Sequence, residues 1–266
     1  MTLLELDFMR KALLAAVLVG LTAPAIGTFL VQRRLALMGD GIGHVALTGV
    51  GLGLVLGTAP LVTAVILAVV GAVAIELLRS RGGTSGDVAL ALLFYGGIAG
   101  GVVLTNASHS GTTTLVAYLF GSVSTVSAAD LRVIAALAFA VLAVVAILGR
   151  ELFSVCYDEE VARVSGLPVR ALNLVIAVTA ALTVALAMRV VGLLLVSALM
   201  VVPVAAMQQV ARSFRATLVG SLLVGVVVSV AGLVFAYYVD VAPGAAIVLA
   251  AISVFVATST WARVAR

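Results

Sequence analysis

Gly39-Asp40-Gly41-Ile42-Gly43-His44-Val45-Ala46-Leu47-Thr48-Gly49 opens an apolar segment that runs on to about Gly57. Its length and composition are those of a membrane-crossing helix. Asp40 and His44 stand four residues apart and Thr48 follows four later, so all three share one helical face. An ionisable pair at membrane depth is costly unless it faces a cavity or a partner, which makes it a functional-site candidate.

The rest of the chain has the composition of a membrane protein. Hydrophobic residues make up 64% of its 266 residues and charged residues 10%, with a mean hydropathy of +1.33. Soluble domains carry roughly 45–50% apolar and about 25% charged residues, so a chain of this length could not hide its apolar surface in water. Long apolar runs, rather than short alternating ones, select an all-α integral membrane protein over a barrel. The net charge of +4 comes from arginines set singly or in pairs at the ends of apolar runs, and no basic patch for nucleic acid forms. Lys11 is the single lysine, and no Gly-x-x-x-x-Gly-Lys-Ser/Thr loop occurs. The chain is therefore not an ATPase, and nucleotide-driven work falls to a separate subunit. The lone Cys156 excludes an intrachain disulfide. The first apolar run follows Arg10-Lys11 as a signal peptide would, but its length of about 20 residues and the many similar runs after it make it a true span.

Spans of about 20 residues fall at roughly 12–31, 41–57, 60–78, 88–105, 131–149, 171–188, 190–210, 216–238 and 244–261. That makes a single bundle over residues 1–266 of about nine helices, or eight if closely joined neighbours are one. Residues 106–130 read as a surface loop with a short helix around Tyr118-Leu119-Phe120-Gly121. With 150–170 as a cytoplasmic loop and nine alternating spans, Arg33, Arg34, Arg79, Arg81, Arg150, Arg163, Arg170, Arg212, Arg215, Arg263 and Arg266 lie inside. Only Arg10, Lys11, Arg132 and Arg189 lie outside, a positive-inside bias that puts the N-terminus outside. Pro24 and Pro203 are expected to kink their helices. Gly39/Gly43 and Gly49/Gly53/Gly57 form small-residue ridges that let helices close up in lipid.

Counted from Arg34 at 1.5 Å per residue, His44 lies roughly 15 Å deep, near the middle of a core about 30 Å thick. A carboxylate and an imidazole suit zinc, manganese or iron, and no thiolate biases the pair toward copper. A two-fold axis along this face would double the pair to two Asp and two His. The same residues equally allow a helix-capping Asp and a histidine hydrogen-bonded inside the bundle. In 150–170, Asp158 can cap a short helix with Glu159 and Glu160 in its first turn, stopped by Gly166 and Pro168. A solvated loop needs no such signals, so Asp158, Glu159, Glu160, Val161, Ala162, Arg163, Val164, Ser165, Gly166 and Leu167 read as a docking helix for a cytoplasmic partner. Glu76 is expected to pair with Arg79 or snorkel. His109 lies in the outer loop as polar surface or an entry ligand, and Phe235, Tyr237 and Tyr238 form an interface belt.

These motifs together resemble the metal-ion ABC importer permeases of the zinc/manganese type, the ABC-3 family. The carrying stretches are Gln32-Arg33-Arg34 with Met38-Gly39-Asp40 and His44; Ala117-Tyr118-Leu119-Phe120-Gly121; Ala187-Met188-Arg189-Val190-Val191-Gly192-Leu193-Leu194 with Pro203; and Asp240 with Pro243-Gly244-Ala245. The resemblance implies a homodimeric permease in a bacterial inner or plasma membrane, in the broad architecture of the vitamin B12 and siderophore importers. It implies two cytoplasmic ATP-binding subunits and an extracytoplasmic metal-binding protein as partners, and a zinc or manganese ion as cargo rather than resident cofactor. Asp40 and His44 match the family's metal path, and Asp158 to Leu167 match its ATPase-coupling segment. At Arg189 relatives often carry Lys. Two alternatives stand beside this: a proton-coupled secondary transporter using Asp40, His44 and Glu76, and a permease of the same architecture for vitamin B12 or a siderophore.

Overall fold

The computed structural model describes residues 7–80, 86–108, 118–121, 127–188 and 190–264. The regular elements there are helices: α1 (Asp7–Gln32), α2 (Met38–Leu56), α3 (Pro60–Ser80), α4 (Gly86–Ala107), α5 (Ala128–Tyr157), α6 (Glu159–Val164), α7 (Val169–Ala187), α8 (Leu193–Gln208), α9 (Phe214–Val239) and α10 (Pro243–Val264). Eight of the described helices are long and apolar enough to cross a membrane. The ninth expected span, 190–210, is the exception. Val190 and Val191 lie in a turn and Gly192 has φ +89, so α8 starts late and keeps only 16 residues. At 1.5 Å per residue that is about 24 Å, short of a full core.

The second departure concerns residues 150–170, expected as a loop. Residues 150–157 continue α5, a helix of 30 residues or about 45 Å. Its last turns stand beyond the apolar core and carry Arg150 and Glu151. The start of α5 was not foreseen either: Ser127 caps it, with Asp130 closing a capping box. Pro24 and Pro203 both lie inside continuous helices.

The helices alternate in direction. Rings of Phe29, Phe153 and Phe214 meet at 5.4 and 4.5 Å, which brings the end of α1, the end of α5 and the start of α9 together. Gln32, Arg79, Val155 and Val169 line one cleft at that same end, and Gln209 and Arg263 line another. Among the described residues, Arg33, Arg34, Arg79, Arg150, Arg163, Arg170, Arg212, Arg215 and Arg263 gather toward this basic end, whereas Arg10, Lys11 and Arg132 lie toward the other. The most enclosed long helices are α1, α7 and α2, whereas only 22% of the apolar window of α4, α5 or α10 is buried within the chain. The outward residues there include Phe139, Ile147 and Leu92, the apolar surface a bilayer covers. Small residues bring the inner helices into contact. A methyl group on Gly20 of α1 would lie 2.7 Å from the Gly225 carbonyl oxygen of α9.

Candidate functional site

Helix α2 is clasped by α3, α4, α7 and α8, and two of these contacts set the depth of its polar pair. A methyl on Gly97 of α4 would sit 2.5 Å from the His44 carbonyl carbon, and one on Gly71 of α3 would sit 2.9 Å from Val45. Gly97 is eleven residues from the basic end of α4 and Gly71 nine from that of α3, so His44 lies about 14–16 Å from that end. That agrees with the depth counted from Arg34. Gly49 and Gly53 of the ridge press on Ala64 and Pro60 of α3, and Gly39 and Gly43 on α8. Gly57, the fifth ridge glycine, is instead the left-handed C-cap of α2, with φ +64.

The three polar residues of the shared face find different surroundings. Asp40 is half-buried and its Oδ1 accepts a hydrogen bond from the Ser197 hydroxyl of α8. His44 is 7% exposed, and its ring stands edge-on to Phe94 of α4 at 4.3 Å between centroids. Its Nδ1 is buried with no hydrogen-bond partner among the described residues. Thr48 Oγ1 donates to the Gly97 carbonyl at 2.8 Å. The pair is thus enclosed by its own chain, α8 over Asp40 and α4 over His44. Among the described residues no three His, Cys, Asp or Glu side chains gather. A single copy offers a divalent cation one carboxylate and one imidazole, with the Ser197 hydroxyl beside them. Ser197 and Phe94 were missed from sequence, since neither carries a signal until the fold sets it beside α2. Small-residue spacing was the legible sign of close packing here, in the ridges of α2 and in Gly97/Gly101 of α4.

The short helix expected within Asp158 to Leu167 forms as α6. Asp158 Oδ1 accepts from the backbone N–H groups of Glu160 and Val161, both at 2.9 Å, and Gly166 turns the chain at φ +82. Ala162 is fully buried against the bundle, while Val161 and Val164 point out, Val164 90% exposed. Glu159 reaches back: its Oε2 accepts from Arg33 at 3.2 Å and its Oε1 from Arg163 at 3.4 Å. Arg33 also donates to Asn173 Oδ1 of α7 at 2.7 Å. Burial lowers the proton affinity of Arg33 below that of an ordinary arginine, and Arg79 nearby adds to this. Glu76 pairs with Arg79 at 3.3 Å, as expected. These groups line a cleft of about 1270 Å³ at the basic end.

At the opposite end three quoted stretches meet. Gly121 (φ +78) and Gly192 (φ +89) touch backbone to backbone, since a methyl on Gly121 would lie 2.6 Å from the Val190 carbonyl oxygen. Gly244 is seated on the Val191 carbonyl. This junction anchors the end of α8 from which Ser197 reaches Asp40. Tyr237 and Tyr238 are exposed near that end of α9, as a membrane-interface belt requires. His109, Arg189 and Ala117 lie outside the described residues.

A family model described as the ABC 3 transport family matches residues 5–262. The manganese transport system membrane protein MntC of Halalkalibacterium halodurans is 33% identical over 253 residues, covering 95% of this chain and 87% of its own. The high-affinity zinc uptake system membrane protein ZnuB of Haemophilus influenzae is 29% identical over 250 residues, covering 94% and 96%. Among solved structures, PsaBC from Streptococcus pneumoniae in complex with Fab superposes with a TM-score of 0.88 at 29% identity, over 99% of this chain and 97% of that one.

Proposed function

This chain belongs to the ABC 3 transport family, and we propose that it is the membrane-spanning subunit of an ATP-driven importer for manganese or zinc, with Asp40 and His44 in the metal's path. It is a multi-pass protein of the bacterial plasma membrane and a transport component. Its basic end is cytoplasmic by the positive-inside rule. Two copies face each other, two ATP-binding subunits engage α6 from the cytoplasm, and a metal-binding protein delivers the ion at the opposite end. The observation that carries the metal path is the His44 Nδ1, buried without a hydrogen-bond partner among the described residues and four residues from Asp40 at mid-depth. An unpaired buried ring nitrogen is a cost that a passing cation removes. Because α8 and α4 enclose the pair, each copy supplies its own carboxylate and imidazole.

The cation is cargo. It must bind well enough to enter and loosely enough to leave, and a two-ligand half-site meets both needs better than a closed cage. A secondary transporter needs Glu76 free as a relay, but Arg79 holds it. A vitamin B12 or siderophore permease needs width at this depth, where Phe94 and Gly97 close on His44. The test is metal-dependent growth and uptake of radiolabelled manganese and zinc by Asp40→Ala and His44→Ala variants. Both lose uptake while still assembling with the ATPase. Full uptake in both would remove the pair from the path, and uptake insensitive to ATP depletion would overturn the importer reading.

A further inference from the structure

Arg33 is placed as no membrane-surface arginine needs to be. Its side chain is 7% exposed, whereas its neighbour Arg34 points to water. It bonds two other elements at once, Asn173 on α7 and Glu159 on the docking helix α6, 140 and 126 residues away in sequence. A buried guanidinium is tolerated only when its donors are met in good geometry, and Arg33 places one on each of two helices, α6 and α7. Terminating α1 does not require this, because the backbone already ends the helix. Leu35 N–H bonds to Leu30 and Arg34 N–H to Val31, closing a Schellman turn.

That turn is also the start of α2. Only residues 33–37 separate the helices, and Met38 N–H bonds back to Leu35 at 3.0 Å, so the link is short and internally braced. Asp40 follows seven residues after Arg33. On the other side, Glu159 sits in the first turn of α6, whose outward face bears Val161 and Val164. Arg33, Glu159 and Arg163 all line the 1270 Å³ cleft at this end. We propose that Arg33 is a positioning residue that ties the docking helix to the root of α2, so that a displacement of α6 by the ATPase is delivered to Asp40 and His44. This rests on the importer reading above, and it adds the residue through which hydrolysis is coupled to the metal pair.

The experiment uses the full chain assembled with its ATP-hydrolysing subunit and binding protein in proteoliposomes. It reads manganese or zinc ions moved per ATP hydrolysed. Arg33→Gln lowers that ratio about tenfold, within the usual span of coupling between sites, with hydrolysis kept within about twofold. Arg33→Lys, which keeps the charge and one donor direction, recovers part of it. Glu159→Gln lowers the ratio as well. Because Glu159 is 41% exposed and on a surface helix, it decides the matter should Arg33→Gln fail to assemble. A merely structural pair would lower uptake and hydrolysis together and leave the ratio unchanged, and that result overturns the proposal. If wild-type complexes couple ATP to metal and the variants couple equally well, the Arg33 tie alone is lost. If the wild-type complex moves no metal with ATP, the importer reading falls and takes the tie with it.

Discussion

Two adjacent glycines on α4 offer a severe test of how α2 is held. A methyl added at Gly97 would lie 2.5 Å from the His44 carbonyl carbon and 2.6 Å from the Val45 nitrogen, while one at Gly96 would meet nothing within 4 Å. Ordinary contact begins near 3.4 Å, so Gly97→Ala is about 0.9 Å too tight. The opposing atoms are backbone, and no side chain can swing away to absorb the clash. The two helices must part or tilt, stretching the Thr48–Gly97 hydrogen bond of 2.8 Å. Overpacking of this kind costs about 1–3 kcal/mol. Gly96→Ala, by contrast, gains up to about 1 kcal/mol of helix propensity. The neighbouring variants therefore differ in sign. Thermal inactivation of the purified protein, followed at one scan rate, should show Gly97→Ala unfolding earlier than wild type and Gly96→Ala unfolding no earlier. Metal uptake should fall at least about tenfold in Gly97→Ala, since misplacing a reacting group by about 1 Å can cost up to ~100-fold. If Gly97→Ala matched Gly96→Ala in both assays, the close seating of α4 on His44 would be refuted.

Four further outcomes follow from the same geometry. Ser197→Ala removes the donor to Asp40 and should weaken metal-stimulated ATP hydrolysis about tenfold in metal concentration, since a hydrogen bond to a charged group is worth about 1.5–3 kcal/mol; an unchanged metal titration would deny Ser197 that role. Asp158→Ala removes the cap of α6 and costs about 1 kcal/mol of helix stability, read as weaker co-purification of the ATPase, with Asp158→Asn restoring it. Val164→Asp, on a side chain 90% exposed, should leave thermal stability within about 0.5 kcal/mol yet abolish that co-purification; retained binding would move the docking surface elsewhere. Arg34 occupies a left-handed position at φ +59 where glycine is usual. Arg34→Gly should accordingly stabilise the protein by about 1 kcal/mol, seen as slower thermal inactivation.

Enclosure of the Asp40–His44 pair by its own chain gives transport a physical problem to solve. Phe94 covers the imidazole from α4 and Ser197 holds the carboxylate from α8. The helices that carry Ser197 and the pair are each held at one end. The glycine junction of Gly121, Gly192 and Gly244 fixes α8 at one end of the bundle, and the α6–Arg33 contact reaches α2 at the other.

Residue chemistry alone determined the membrane setting, the helical class, the approximate spans and the direction of alternation. These follow from local quantities, since an apolar run of about 20 residues and the charge at its ends are written in consecutive positions. The short helix α6 was legible for the same reason, because Asp158, Gly166 and Pro168 act on neighbouring backbone. The depth of His44 is not a matter of helical rise alone, since only Met38 to His44 of the ten residues after Arg34 is helical, about 9 Å, and the α1–α2 link sets the rest. Other local readings missed. Residues 150–157 extend α5, because hydropathy marks where lipid ends rather than where a helix ends. Residues 190–210 lose their first turn to Gly192, whose positive φ is forced by the backbone of Phe120 and Gly121 packed against it. Only the tertiary structure decided what surrounds the polar pair. Asp40 and His44 share a face on α2, but that face is divided between α8 and α4, and Ser197, Phe94, Asn173 and the inward turn of Arg33 emerge only when helices distant in sequence are brought together. A side chain's spacing states which way it points; what it meets there is set by the neighbouring helices, and in a bundle held together by glycine contacts those neighbours come from distant parts of the chain.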